Sequence, residues 1–267
     1  MEVGRTSGLD SSQLAAFEHD GCVILHQFAS ATVTSATLEA AIALARREPV
    51  ESATDRNRPF VLPEANLNNV EVTDPEERVS KVFRVHREEP FHSLATRSDL
   101  VATVSTLLGT DMLSCFLSQF IFKNPGAWGQ PCHQDSFYFP FIPMRPVVGV
   151  WLACTDATLE NGCLWVVPGS HRERIHEHIP DQRPNANVGY VEIVDYDLSS
   201  AVPVVMAAGD LLLFDSYLMH YSTDNQSSKR RAAMVYHYAP SSTQDHTVET
   251  RGYTINDWME IPAAAEA

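Results

Sequence analysis

Two histidines, one aspartate and one arginine carry the chemistry this chain is equipped for. His133 and Asp135 stand two apart in Cys-His-Gln-Asp-Ser, an extended stretch that follows a Pro/Gly loop. On a strand, residues i and i+2 face one side, so the imidazole and the carboxylate could converge on one ion. A third ligand would complete a facial triad of the kind that leaves positions open on a non-haem Fe(II). Alone, the pair says little, because chance gives ~0.7 His-x-Asp patterns in a chain with 11 His and 16 Asp. The rival pairs His86/Glu88 and His171/Glu173 are flanked by Arg87 and by Arg172 and Arg174, which suits a solvated surface.

His220 is the strongest third ligand. It follows the apolar run Leu211 to Phe214 and shares a strand face with Ser222. Arg231 stands eleven positions after His220 and opens another apolar strand, Ala-Ala-Met-Val-Tyr. A buried arginine at the head of a core strand needs an anion. Asp224 in the turn could supply it at a hairpin end, and so could a dicarboxylate co-substrate bound through two parallel hydrogen bonds. Lys81, in the alternating Ser-Lys-Val-Phe-Arg-Val-His, is either an inward lysine with the same need or a solvated edge residue. His176 and His178 read as parts of a solvated segment and His171 as a turn residue. His237 shares parity with Arg231 and points inward, where it could touch substrate.

These residues must be positioned by elements that change character along the chain. Ser11-Ser12 caps a helix ending at Gly21, Gly21 to Leu25 reads as a buried strand, and Ser30 to about Arg47 reads as a second helix. The stretch from Glu51 to Asn69 reads as a long loop, a candidate lid. Phe91 to Leu108 reads as a third helix, closed by Gly109. From Met112 onward come short β-branched and aromatic runs, separated by turns such as Asn124-Pro125-Gly126 and Pro168-Gly169-Ser170. Helices first and many strands afterwards predict a mainly β fold, a sandwich or barrel with flanking helices. One domain is expected over 1–267, with its core over about 11–260 and a short Ala-rich tail.

Composition narrows the partners. A net charge of -15, from 19 basic and 34 acidic residues, repels phosphate backbones and anionic lipid, so neither nucleic acid nor membrane is expected. The apolar runs are too short to cross a bilayer. Five widely spaced cysteines indicate neither disulfides nor zinc, and no signal peptide is evident, so the expected location is cytoplasmic.

Taken in order, His133-x-Asp135, His220 and Arg231 resemble the Fe(II)/2-oxoglutarate-dependent oxygenases of the phytanoyl-CoA dioxygenase family. The opening Leu14-Ala-Ala-Phe-Glu-His-Asp-Gly-Cys-Val-Ile-Leu looks like that family's start. The stretch Val150-Trp151 through Glu160-Asn161-Gly162 to Pro168-Gly169-Ser170-His171 is the most specific part, closest to the branch of phytanoyl-CoA dioxygenase domain-containing proteins. The similarity spans about Leu14 to Trp258.

The resemblance implies a double-stranded β-helix, or cupin-like jelly roll, with Fe(II) on His133, Asp135 and His220. It implies that Arg231 and Ser222 bind the distal carboxylate of 2-oxoglutarate, that Lys81 and Gln119 hydrogen-bond the co-substrate, and that Trp151 walls it. Gln119 departs from a Met expected in the nearest branch. The implied reaction consumes O2, converts 2-oxoglutarate to succinate and CO2, and oxidises an unactivated C–H bond of a small metabolite, usually by hydroxylation. Halogenating relatives lack the carboxylate ligand, so Asp135 favours hydroxylation or a related oxidation. The alternative from another class is a catalytically silent cupin-like module that keeps metal or 2-oxoglutarate as a structural or sensing ligand. The molecule is expected to be a monomer or small homo-oligomer. Its substrate is expected not to be an acyl-CoA: only Arg56 and Arg58 are placed to meet an anion at the mouth, and Phe137 to Phe141 suit a compact, largely apolar molecule or a small amino-acid-like one.

Overall fold

Along the long strand near the C-terminus, nine consecutive residues from Arg231 to Ala239 are buried, as a strand covered on both faces requires. The computed structural model describes residues 8–47 and 58–261. In chain order its strands are β1 (Cys22–Leu25), β2 (Phe60–Pro63), β3 (Val79–Phe83), β4 (Leu113–Lys123) and β5 (Phe141–Ile142). Next come β6 (Val148–Ala153), β7 (Leu164–Val166), β8 (His178–Pro180), β9 (Val191–Ile193) and β10 (Val202–Val204). The last are β11 (Leu211–Asp215), β12 (His220–Ser222), β13 (Arg231–Pro240), β14 (Gln244–Asp245) and β15 (Met259–Ile261).

The large sheet has the order β1-β11-β6-β13-β4-β3-β2, with β15 added to β4. A smaller sheet, β10-β7-β12, completes the jelly roll. All these ladders are antiparallel. Side-chain parity separates two cores. Val150 and Leu152, Leu211 and Leu213, and Met234 and Tyr236 pack under the helices. Trp151 and Ala153, Leu212 and Phe214, and Ala233 and Val235 face the other way, against Val166 of the small sheet. That second face is the barrel interior, and odd-numbered positions of β13 point into it.

The helices are α1 (Ser11–Asp20), α2 (Ala31–Arg47), α3 (Phe91–Ala95), α4 (Ser98–Leu108) and α5 (Thr247–Arg251). Asp10, not Ser11-Ser12, caps α1: it accepts from Ser12 and Gln13, whose side chain answers in a capping box. Gly21 closes α1 at φ 82° as expected. The helix predicted over Phe91 to Leu108 is two, because Arg97 takes an extended ψ of 126° between α3 and α4. The predicted loop from Glu51 to Asn69 also divides. Residues 51–57 lie outside the described residues, whereas Phe60–Pro63 form β2 on the sheet edge and Ala65–Leu67 a 3-10 turn. The Ala-rich tail after residue 261 also lies outside them. No helix among the described residues is long and apolar enough to cross a membrane.

Candidate metal centre and its cavity

His133 and His220 form an isolated antiparallel bridge, exchanging backbone hydrogen bonds of 3.0 Å in each direction. The chain then turns, and Asp135 opens the 3-10 segment Asp135–Tyr138. His133 and Asp135 are therefore not neighbours on one strand face, as the spacing predicted. The turn brings the carboxylate round to the two imidazoles instead. One ligand atom from each of His133, Asp135 and His220 lies within 4.8 Å of the others, and all three residues are buried. Asp135 Oδ1 is 3.3 Å from His133 Nε2 and 3.7 Å from His220 Nε2.

The imidazoles are held by their far sides. His133 Nδ1–H donates to Pro131 O at 2.8 Å and His220 Nδ1–H to Leu218 O at 2.9 Å. A neutral ring that donates through Nδ1 carries its lone pair on Nε2, the arrangement that orients a metal-ligating histidine. Burial, reinforced by His133, pushes the His220 imidazole down to about 4, so it is neutral near pH 7. Burial alone would raise the Asp135 carboxyl, but the neighbouring His220 and His133 and the hydrogen bond from His237 hold it well below the usual carboxylate range. The donor set is thus two imidazole nitrogens and an ionised carboxylate, which fits a divalent iron. Gln130 Nε2 donates to His133 Nε2 at 3.0 Å, a contact a metal on that nitrogen must replace.

Gln134, between the two ligands, anchors the loop. Its side chain donates to Arg174 O and Tyr217 O and accepts from His176 N, while its own N–H donates to His178 Nε2 at 3.0 Å. His178 is accordingly buried and stacked on Phe137 at 4.3 Å, contrary to its reading as part of a solvated segment. His86 is likewise fully buried, against Ser118 Oγ at 2.6 Å, rather than on a solvated surface. His171 is structural, lying against Gly21 where a Cβ would meet its ring at 2.5 Å.

A cavity of about 540 Å³ takes in the triad and every co-substrate residue inferred from sequence: Arg231, Ser222, Lys81, Gln119 and Trp151. Arg231 is 2% exposed, and among the described residues its side chain hydrogen-bonds only Gly162 O, at 3.0 and 3.3 Å. No acidic side chain among the described residues pairs with it. Asp224, the alternative partner, accepts from Gly129 N at 2.7 Å and lies near Arg183. Burial lowers the Arg231 guanidinium to about 10, still charged at neutral pH. Lys81 is buried, donates to Gln130 Oε1 at 3.1 Å and lies over the Tyr190 ring.

Lys123 also lines the cavity, a residue that the sequence reading did not single out. Leu117, Gln119, Ile121 and Lys123 alternate along β4 and all line the cavity, so the period-two signal was present. Lys123 Nζ donates to Ser222 Oγ at 2.7 Å, and Gln130 N donates to the same oxygen at 3.2 Å. A hydroxyl has two lone pairs and one proton. With both lone pairs taken, Ser222 has its O–H left to give to an anion. Trp151 Nε1 is buried in the same wall without a hydrogen-bond partner. Glu64, a buried acid that interacts with both lysines, has its carboxyl raised by burial despite Asn187, Ser80 and those lysines. These groups fit a small dicarboxylate.

Fold and donors together define a jelly-roll protein with a two-histidine, one-carboxylate centre opening on a cavity lined by Arg231, Lys81 and Lys123. The chain belongs to the phytanoyl-CoA dioxygenase (PhyH) family, which it matches over residues 17–233. It is 32% identical over 169 residues to phytanoyl-CoA dioxygenase domain-containing protein 1 of Bos taurus, covering 61% of this chain and 58% of that protein. It is 30% identical over 198 residues to the peroxisomal phytanoyl-CoA dioxygenase of Bos taurus, covering 72% of this chain and again 58% of the relative. The chain thus spans less than two thirds of either relative's length. Among solved structures it shares its fold with the epimerase SnoN in complex with Fe3+, alpha ketoglutarate and nogalamycin RO, at TM-score 0.65 and 19% identity over 88% of this chain and 84% of that one.

Proposed function

We propose that the protein is a 2-oxoglutarate-dependent oxygenase. It would use one Fe(II) and O2 to oxidise, by hydroxylation, an unactivated C–H bond of a small organic metabolite, within a single domain spanning about 11–260. The observation that carries this reading is that Arg231, buried and without a carboxylate partner, shares one cavity with the His133, Asp135 and His220 donors. A metal hydrolase built on the same three ligands would leave Arg231 and Lys81 without an anion.

When bound, the iron supplies the coupling of 2-oxoglutarate decarboxylation to substrate oxidation by O2. The chain's residues do the positioning. His133 and His220 present Nε2, and Asp135 presents Oδ1. Arg231 offers a bidentate fork to the distal carboxylate, Ser222 adds its O–H, Lys81 and Gln119 supply further donors, and Trp151 closes the wall. The part of the lining made by Phe60, Leu62, Phe83, Phe139 and Ile255 is apolar and would keep water from the reacting bond. Tyr138 O–H is already spent on Gly189 O, so this half offers few hydrogen bonds to a substrate. An uncharged, largely apolar metabolite suits it better than an acyl-CoA. Arg56 lies outside the described residues.

The test is succinate release by the iron-loaded protein in air, with uncharged apolar compounds and branched acyl-CoA esters compared side by side. Substrate-dependent succinate with a product 16 mass units heavier is expected from the first group, as insertion of one oxygen atom requires. Coupled turnover of an acyl-CoA would overturn the substrate assignment. Absence of any 2-oxoglutarate binding to the iron-loaded protein would overturn the function.

A further inference from the structure

β13 carries a second inward group besides Arg231. His237, six residues on with the same parity, is 1% exposed, and its Nε2 lies 2.7 Å from Asp135 Oδ2. That oxygen is not the one beside the other two histidines: Oδ1 faces His133 and His220, and Oδ2 faces His237. An ionised carboxylate only accepts, so the proton of this hydrogen bond sits on His237 Nε2. The opposite nitrogen, Nδ1, is buried and has no hydrogen-bond partner. Around the His237 ring stand aromatic rings, with centroid-to-centroid separations of 5.3 Å to Phe139, 5.9 Å to Phe214 and 6.0 Å to Phe116.

This cage has a reason in the sheet. His237 pairs in register with Gly149 of β6, and a Cβ on Gly149 would lie 2.2 Å from the Phe214 ring. Glycine there lets Phe214 lie between His237 and His220, whose ring it meets at 5.2 Å. The ring of His237 is therefore fixed on a central strand, sealed by aromatics on one side, and left with a single directed N–H.

We propose that His237 is a positioning residue of the metal centre. By donating to Asp135 Oδ2, it fixes the carboxylate plane and presents Oδ1 alone beside the Nε2 atoms of His133 and His220. A carboxylate limited to one oxygen occupies one ligand position instead of two, which keeps room for a co-substrate that binds through two atoms. This rests on the assignment of His133, Asp135 and His220 as the metal ligands. It assigns His237 no contact with substrate, the role its inward parity had suggested.

The experiment compares wild type, His237→Phe and His237→Gln, all prepared without metal and titrated anaerobically with Co(II). Phe suits the aromatic cage but donates nothing; Gln restores a donor. The expected result is about 10- to 100-fold weaker Co(II) binding for His237→Phe with an altered visible ligand-field spectrum, and recovery of both toward wild type in His237→Gln, as removal of an outer-shell partner should give. Wild-type affinity and spectrum in His237→Phe would overturn the proposal while leaving the triad standing. Failure of the wild type itself to bind Co(II) would overturn the triad and this proposal with it. If neither variant folds, 15N-histidine spectra of the wild-type Zn(II) form decide the matter. His237 protonated on Nε2 supports the role, and protonation on Nδ1 refutes it.

Discussion

Lys123 and Arg231 stand directly opposite each other across the β4–β13 ladder, two buried cations in register. Like charges placed this way repel, and burial together with Arg231 pushes the Lys123 ammonium well below its ordinary value. A dianion beside them relieves that repulsion. The iron-loaded wild type should therefore gain thermal stability on adding 2-oxoglutarate, by about 2.7 kcal/mol at a ligand concentration 100 times the dissociation constant. Differential scanning calorimetry checks this; no shift in Tm with saturating 2-oxoglutarate would contradict it.

Arg231→Ala should weaken 2-oxoglutarate binding by about 2 to 4 kcal/mol, because a charge-assisted bidentate pair in a desolvated pocket is lost. Anaerobic titration of the Fe(II) protein, followed by its visible absorbance, measures the dissociation constant. An unchanged constant would remove Arg231 from the co-substrate site.

Single replacements His133→Ala, Asp135→Ala and His220→Ala should each reduce iron from one equivalent per chain to background after dialysis. Elemental analysis reads this directly. Full occupancy in any one variant would strike that residue from the triad.

Gly129→Ala should destabilise the protein by about 1 to 3 kcal/mol, as overpacking does. A Cβ at Gly129 would lie 1.8 Å from Ser222 O, which belongs to backbone and cannot step aside. The same shift should weaken 2-oxoglutarate binding through Ser222. Urea unfolding with the wild-type midpoint would show that the loop has slack the structure does not display.

Asp210, which is not part of the cavity lining, supplies a pH dependence of its own. It is 4% exposed and accepts from Gln27 N at 2.9 Å and Ala207 N at 3.1 Å. Burial would raise its carboxyl, yet those bonds and His26 hold it below 3.8. Between the folded and unfolded values the unfolded chain binds more protons, so stability rises with pH there. Its contribution is complete above about pH 4 to 5 and is lost as pH falls through the lower, folded value. Asp210→Asn should cost about 1 to 3 kcal/mol at pH 7 and flatten the acid limb. Urea midpoints across pH 2 to 7 that keep the wild-type slope would refute this.

Much of the site could be read from residue types because its chemistry forces them: an inward arginine needs an anion, and a His-x-Asp pair with a distant histidine needs an ion. What resisted reading was direction. Asp135 lies on a 3-10 turn and not on a strand, so parity could not have paired it with His133. Lys123 lies on the same strand as Gln119 at the same parity, so the alternation that carries Gln119 inward carries Lys123 with it. His86 and His178 were misjudged from charged neighbours in sequence, whereas burial is decided by neighbours in space. The break at Arg97 came from local backbone geometry that a continuous apolar pattern conceals.

The bridge between His133 and His220 joins positions 87 apart in the chain (220 − 133). Closing so long a loop costs entropy that only the surrounding sheet can recover, and non-local pairing is slow. The ladder of β4 and β13 closes a still longer span, 108 positions between Lys123 and Arg231 (231 − 123). A divalent ion on the three donors would pin the ends of the shorter span together in the folded state only, so its removal should lower the unfolding free energy. Such an ion would be a cross-link of coordination bonds in a chain whose five cysteines are all free.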